Sequence, residues 1–169
     1  MIQERPATPS DVASIHRLID HYAAQGILLP RTEEETRSRI NRFLVLEQSG
    51  RVVACASLEP YSAREAELRS LAVDPDLRGN GLGARMVRYA LTVARQQKLA
   101  RVFAVSHDPD FFVRQGFAAS SRLELPQKIA RDCCHCPRAA HCELGAAVIS
   151  LQPEPSVSPA GHNIALVRI

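Results

Sequence analysis

A chain of 169 residues, 46% apolar and 23% charged, is long enough to bury one substantial core and short enough to be read as a single domain with a tail. A net charge of +3 does not by itself argue for nucleic acid, although it suits a polyanionic ligand. No apolar run is long enough to span a bilayer and the first residues lack the layout of a signal peptide. Five cysteines, an odd number, favour free thiols or metal ligands over disulfides, so a cytoplasmic protein with neither membrane nor nucleic-acid partners is expected.

A short strand is expected over residues 2–6. Thr8-Pro9-Ser10-Asp11 then reads as a helix start, with Thr8 at the N-cap, proline at the first helical position and Asp11 able to reach back to free amides. Val12, Ile15, Leu18, Ile19 and Tyr22 form its apolar stripe, and Gly26 ends it. Thr32-Glu33-Glu34-Glu35 repeats the capping pattern for a second helix through Ile40. The connection between the two helices is apolar and ends in Arg31. Residues 43–47 and 51–58 form a hairpin turned at Gly50, and residues 66–73 return as a third antiparallel strand.

After that strand comes Arg78-Gly79-Asn80-Gly81-Leu82-Gly83-Ala84, followed by Met86, Tyr89, Ala90 and Val93 at helical spacing up to about Lys98. Glycines at 79, 81 and 83 let the backbone curl with its amides pointing into one hollow. The unpaired first amides of the helix and its dipole make that hollow a phosphate cradle, with Arg78 at its rim. The spacing is not the G-x-G-x-x-G of a dinucleotide site, and the Gly-Lys-Ser/Thr of a nucleotide P-loop is absent. Residues 102–106 follow as a buried strand reached by a helical crossover, hence parallel to the strand before the cradle. Asp108 and Pro109 open a short helix carrying Phe111 and Phe112 and closed by Gly116. A strand over 117–125 ends at Leu-Pro, and residues 146–151 supply the last strand. Residues 152–161 read as a proline-rich tail. Residues 163–169 are apolar enough to dock on an exposed strand edge, of this chain or of a second copy in a homodimer.

The string Leu71-Ala72-Val73-Asp74-Pro75, then Arg78-x-x-Gly81-x-Gly83, and later Phe112-x-x-x-Gly116-Phe117, resembles the GNAT family of N-acetyltransferases. That resemblance implies an α/β (α+β) domain over residues 1–151. Its sheet would be mixed and mostly antiparallel, of six to seven strands, splayed between strands 4 and 5 and flanked by about four helices. It also implies acetyl-CoA as cosubstrate, with no metal required. Pantetheine would lie in the splay, and the cofactor would be held by Leu71, Ala72, Val73, the turn Arg78, Gly79, Asn80, Gly81, Leu82, Gly83 and Ala84, and Phe112.

The reaction needs an uncharged amine, an oxyanion donor and an acid for the leaving thiolate. Glu67, on the splaying strand, is placed to take the amine proton, or is a solvated strand glutamate. Many family members use a tyrosine as the acid on the short helix where this chain has Phe111 and Phe112. Ser106 is the nearest hydroxyl, and it reads equally as a helix-capping serine. The order of Leu28-Leu29-Pro30-Arg31, Ala66-Glu67-Leu68, Leu125-Pro126-x-Lys128 and Asp132-Cys133-x-x-Cys136-Pro137 resembles the acetyltransferase domain of short stand-alone bacterial N-acetylglutamate synthases. It implies glutamate as acceptor, in the arginine-biosynthesis branch, with Arg31 and Glu67 at the amino-acid site; two substrate carboxylates demand at least two cations, and Arg31 and Lys128, then Arg131, are the available ones. Two other readings stay open: acetylation of another amine, such as a peptide N-terminus, and a non-catalytic CoA-binding sensor of metal or redox state. Cys133, Cys136 and Cys142 have the spacing of metal ligands and equally that of ordinary buried thiols.

Overall fold

The structure is a computed structural model, and it describes residues 1–136 and 139–151. The expected tail and its edge docking lie outside the described residues. Seven strands form one sheet in the order β1-β2-β3-β4-β5-β7-β6: β1 Ile2–Pro6, β2 Phe43–Gln48, β3 Arg51–Pro60, β4 Glu65–Val73, β5 Arg101–Ser106, β6 Ala118–Ser120 and β7 Gly145–Ser150. Every neighbouring pair is antiparallel except β4 and β5. The α-helices are α1 Val12–Ala23, α2 Glu33–Ser38, α3 Leu82–Gln96, α4 Pro109–Val113 and α5 Pro126–Arg131. No helix among the described residues is long and apolar enough to cross a membrane.

The central strands are apolar on both faces, so helices cover both sides of the sheet. From β2, Leu44 and Leu46 join the core under α3, with Met86, Val87, Ala90 and Ala94. Phe43 and Val45 point the other way, to Ile15, Leu18, Ile19 and Tyr22 of α1. A third small cluster sets Phe103, Leu125 and Ala146 against Tyr61.

Three local expectations differ from the structure. The strand expected over 117–125 pairs only at Ala118–Ser120, because Ser121 turns the chain: its Oγ accepts from the Leu123 amide at 3.2 Å and a 3-10 turn follows over Arg122–Glu124. The second helix stops at Ser38, and Ile40 lies in a separate 3-10 turn, Ile40–Arg42. Leu125-Pro126 ends no strand. Proline occupies the first turn of α5, where its missing N–H costs nothing, and this accounts for five α-helices among the described residues where about four were expected.

The sheet parts where the fold expectation places the splay. β4 pairs with β5 only through Glu65, Ala66 and Glu67, opposite Arg101, Val102 and Phe103. Beyond Glu67, β4 bulges: Ser70 and Leu71 oppose the single residue between Cys55 and Ser57, and Ser70 takes φ of 51°. The far end of β4 is then tied away from β5. The Tyr22 hydroxyl donates to the Val73 carbonyl at 2.6 Å, and Asp74, fully buried, pairs with Arg51 and takes the Asp76 amide. β5 keeps all six residues paired to β7. One strand follows its left-hand neighbours and the other its right, so a gap opens between them.

At the other end of the sheet, Asp11 takes the Thr8 amide at 2.7 Å and both terminal nitrogens of Arg5 at 2.7 and 2.9 Å. The Arg5 guanidinium, helped by Thr8, outweighs the cost of burial and draws the Asp11 carboxyl down to about 2. A carboxyl lowered in the folded state stabilises above its unfolded value, near 4, and that contribution disappears as pH falls through about 2. Asp11→Ala is therefore expected to lower unfolding free energy at neutral pH by about 1–2 kcal/mol, discounted for the partly exposed arginine. The difference from the parent chain should shrink as denaturant melts are taken from pH 5 down to about 2.

Candidate active site

The parting of β4 from β5 opens a cavity of about 460 Å³. Its walls are β4 from Glu67 to Leu71, the end of β5 at Val105 and Ser106, α4 at Phe111 and Phe112, the loop after α1 at Ile27, Leu28 and Arg31, and the segment around Cys136 and Cys142. Two of its residues are candidates for proton chemistry and one for anion recognition, and each is set by a different element.

Glu67 is the last β4 residue paired to β5 and is 3% exposed. Lys128, brought in by α5, lies 2.9 Å from each of its carboxylate oxygens, and Arg69 stands 3.5 Å away. Tyr61, at the start of the β3–β4 turn, places its hydroxyl 2.9 Å from Glu67 Oε2 and 2.6 Å from Asp132 Oδ2. Lys128 and Arg69 also reach Asp132, both at 3.2 Å. Burial alone would raise the Asp132 carboxyl, but the Tyr61 hydroxyl, Lys128, Arg131 and Arg69 hold it well below the usual carboxylate range. Burial and the same two carboxylates push the Tyr61 hydroxyl well above its ordinary value.

Arg31 also reaches the cavity wall, where its Nε donates to Ser70 Oγ at 3.0 Å. Among the described residues it makes no salt bridge, while Arg69 and Arg39 lie close by. Burial first, then repulsion from those two guanidiniums, push its pKa below the ordinary arginine value. A cation so placed is short of one anion.

Ser106 ends β5 at the cavity and accepts from the Asp108 amide at 3.0 Å, which leaves its own hydroxyl proton free to be donated elsewhere. Beyond the cavity, β4 runs through Ala72 and Val73 into the glycine turn. Gly79 and Gly81 take φ of 81° and 74°, the left-handed backbone that a side chain resists. A Cβ on Gly83 would stand 3.3 Å from the Phe111 ring, so α3 starts directly against α4. Arg78 is exposed, with its guanidinium 5.8 Å from the centre of the Tyr22 ring. Leu82 points into the core, so only its backbone faces the turn, and Asn80 closes the turn by donating to the Leu77 carbonyl.

The structure does not bring all the expected residues together. Glu67, Ser106, Leu71, Phe112, Arg31 and Lys128 share the cavity wall. The charge of Lys128 is already taken by Glu67 and Asp132. Arg131 turns outward: its guanidinium lies 3.5 Å over the Tyr61 ring and donates to the Pro60 carbonyl. Cys136 and Cys142 border the cavity and all five cysteines are free thiols. Among the described residues no group of three or more His, Cys, Asp or Glu side chains is arranged to hold a metal. Tyr61 and Arg69 escaped the sequence reading. Their one visible signal is the hairpin register, which sets Glu59 opposite Glu67 and so calls for cations and donors around both.

The chain is similar in sequence and in fold to known proteins. The chain is 35% identical to an uncharacterized N-acetyltransferase of Chlorobaculum tepidum over 87% of its own length and 95% of that protein. It is 34% identical to an amino-acid acetyltransferase of Mycobacterium tuberculosis over 77% of this chain and 76% of that protein. An amino-acid acetyltransferase of Neisseria meningitidis is 33% identical, but this chain spans only 30% of its length. The N-acetylglutamate synthase of Neisseria gonorrhoeae, solved with coenzyme A and N-acetyl-glutamate, superposes with a TM-score of 0.81 at 30% identity, over 90% of this chain and 36% of that one. The family model described as acetyltransferase (GNAT) matches residues 11–117, which hold α1, the β2–β3–β4 meander, the glycine turn, α3, β5 and α4. With strands parted after Glu67 and a glycine turn at the head of α3, this chain belongs to the acetyltransferase (GNAT) family.

Proposed function

We propose that the protein transfers an acetyl group from acetyl-CoA to the α-amine of an acidic amino acid, glutamate foremost. The observation that carries this reading is Arg31, largely buried at the cavity wall and, among the described residues, without a carboxylate partner, on the same wall as the buried carboxylate of Glu67. An amino acid whose carboxylate pairs with Arg31 brings its amine toward β4. The names of the relatives support the same substrate class.

The residues present fit the cofactor. The left-handed glycines let the turn curl at the head of α3, and Arg78 with the amides of residues 79–84 would hold the diphosphate. Among the described residues the β4 backbone from Leu71 to Val73 has no strand partner on the β5 side, and it would pair with the pantetheine amides, with Phe112 flanking them. Acetyl-CoA supplies the activated thioester when bound. Glu67 takes a proton from the acceptor's ammonium, so that the amine becomes a nucleophile. Ser106 donates its hydroxyl proton toward the leaving sulfur. Lys128 keeps Glu67 in place rather than meeting the substrate, which leaves Arg31 as the principal carboxylate partner.

Thiol release measured over the twenty amino acids, a short peptide and a polyamine is expected to be highest with glutamate. Turnover confined to the peptide or the polyamine would overturn the reading. Arg31→Ala is expected to raise the glutamate KM by about ten- to a hundredfold, the loss of one charge-assisted contact, with the acetyl-CoA KM nearly unchanged. Gly81→Ala should do the reverse: it raises the acetyl-CoA KM several-fold, spares the glutamate KM and costs about 1 kcal/mol of stability in thermal melts.

A further inference from the structure

The proton that Glu67 accepts must leave before the next turnover, and the cavity side of Glu67 is where the acceptor and thioester would lie. Behind Glu67, away from the cavity, its Oε2 is followed by the Tyr61 hydroxyl at 2.9 Å and then by Asp132 Oδ2 at 2.6 Å. Glu67 borders the cavity, whereas Tyr61 and Asp132 do not. The side chain of Glu67 is 4% exposed and that of Asp132 is 25% exposed, so the three groups run from a buried carboxylate to one that water reaches. A phenol has one proton to donate. Two carboxylate oxygens this close to it are both hydrogen-bonded only when one carboxyl carries a proton, which is the state Glu67 enters after deprotonating an amine.

We propose that Tyr61 and Asp132 form the exit path for the proton abstracted by Glu67, a reading that rests on Glu67 being the general base. An N–H bond of the ammonium breaks as an O–H bond forms on Glu67. That O–H then breaks as the Tyr61 oxygen takes the proton, while the original phenolic proton passes to Asp132. Asp132 releases its proton to water, and rotation of the Tyr61 hydroxyl restores the starting state. One proton leaves, each carboxylate regains its charge and tyrosine is neutral throughout.

The charged and titratable groups around the path fit this direction. Lys128 from α5 holds Glu67 and Asp132 together, Arg69 from β4 contacts both, and Arg131 from α5 pairs with Asp132 and covers the Tyr61 ring. Phe103 of β5 packs against the same ring, edge to face, with 5.1 Å between ring centres. These cations make the protonated Asp132 short-lived and its loss to water fast. Transfer onto Asp132 is uphill, and loss of that proton to water draws the relay forward.

The test uses the full chain with acetyl-CoA and glutamate, or whichever amino acid turns over fastest. Tyr61→Phe keeps the ring against Arg131 and Phe103 and removes the relay oxygen. Its kcat is expected to fall by about ten- to a hundredfold at nearly unchanged acceptor KM, and to recover as imidazole buffer is raised, because a small base replaces the relay. Asp132→Asn, which accepts a hydrogen bond but no proton, should show the same buffer-dependent loss. This provides a second readout if the first variant folds poorly. Wild-type kcat in Tyr61→Phe, or a loss that buffer does not repair, overturns the relay. Glu67→Gln separates the two ideas: if it keeps full activity the base assignment itself fails, and if it is inactive while Tyr61→Phe is unimpaired, the relay alone fails.

Discussion

The arrangement depends on β4 and β5 lying side by side for three residue pairs and then separating. Two neighbouring parallel strands normally satisfy each other's backbone groups along their whole length, so a separation has to be held open. Here it is held from both sides. The bulge at Ser70 and Leu71 bends β4, while Tyr22 and Arg51 tie its end to the β3 side. β5 is anchored along its full length by β7. Among the described residues, the gap leaves β4 backbone groups without a strand partner next to a glycine turn that opens a helix. Both features suit an extended, amide-bearing ligand that ends in phosphate.

A second constraint follows from the hairpin. Register puts Glu59 and Glu67 directly across from one another, both nearly buried, and two such carboxylates are tolerable only with cations at hand. Arg39, Arg42 and Arg131 gather on Glu59, and Lys128 and Arg69 on Glu67. Lys128 and Arg131 both come from α5, so the short helix that forms one side of the site is docked by charge as well as by Leu125 in the core. Within this crowd of paired cations Arg31 stands out because it has no carboxylate partner among the described residues. It is bound to a serine hydroxyl and repelled by Arg69. The electrostatics of the site thus divide cations held by buried carboxylates from Arg31, which pairs with none among the described residues.

Much of the fold was legible in the chain because its signals are local. Thr8 with Asp11, and Thr32 with Glu35, cap helices through bonds spanning three residues. The β2–β3–β4 meander follows from apolar runs broken by turns, and the glycine turn from residues that alone accept left-handed backbone cheaply. The misreadings fall where short polar segments compete. Ser121 diverts what reads as a strand, and Leu125-Pro126 starts a helix where a boundary was expected, because proline reads as a stop unless the next turn packs. In the site, Glu67 and Ser106 could be singled out as candidates because each falls where a strand reaches the parting. Tyr61 and Asp132, 71 residues apart in sequence, carry no such mark.

By itself, then, the sequence determined the order and kind of the central elements, the glycine turn and a short set of candidate polar residues, all properties decided by neighbours a few positions away. Tertiary structure alone decided which cation, among the described residues, meets no carboxylate. Lys128, Arg131 and Arg31 are equivalent as letters, but α5 delivers the first two to buried carboxylates that hairpin register had already placed. The loop after α1 leaves the third at the cavity beside Ser70. Pairing of buried charge is a long-range matter, settled by which carboxylate each arginine or lysine meets once the sheet and helices have packed.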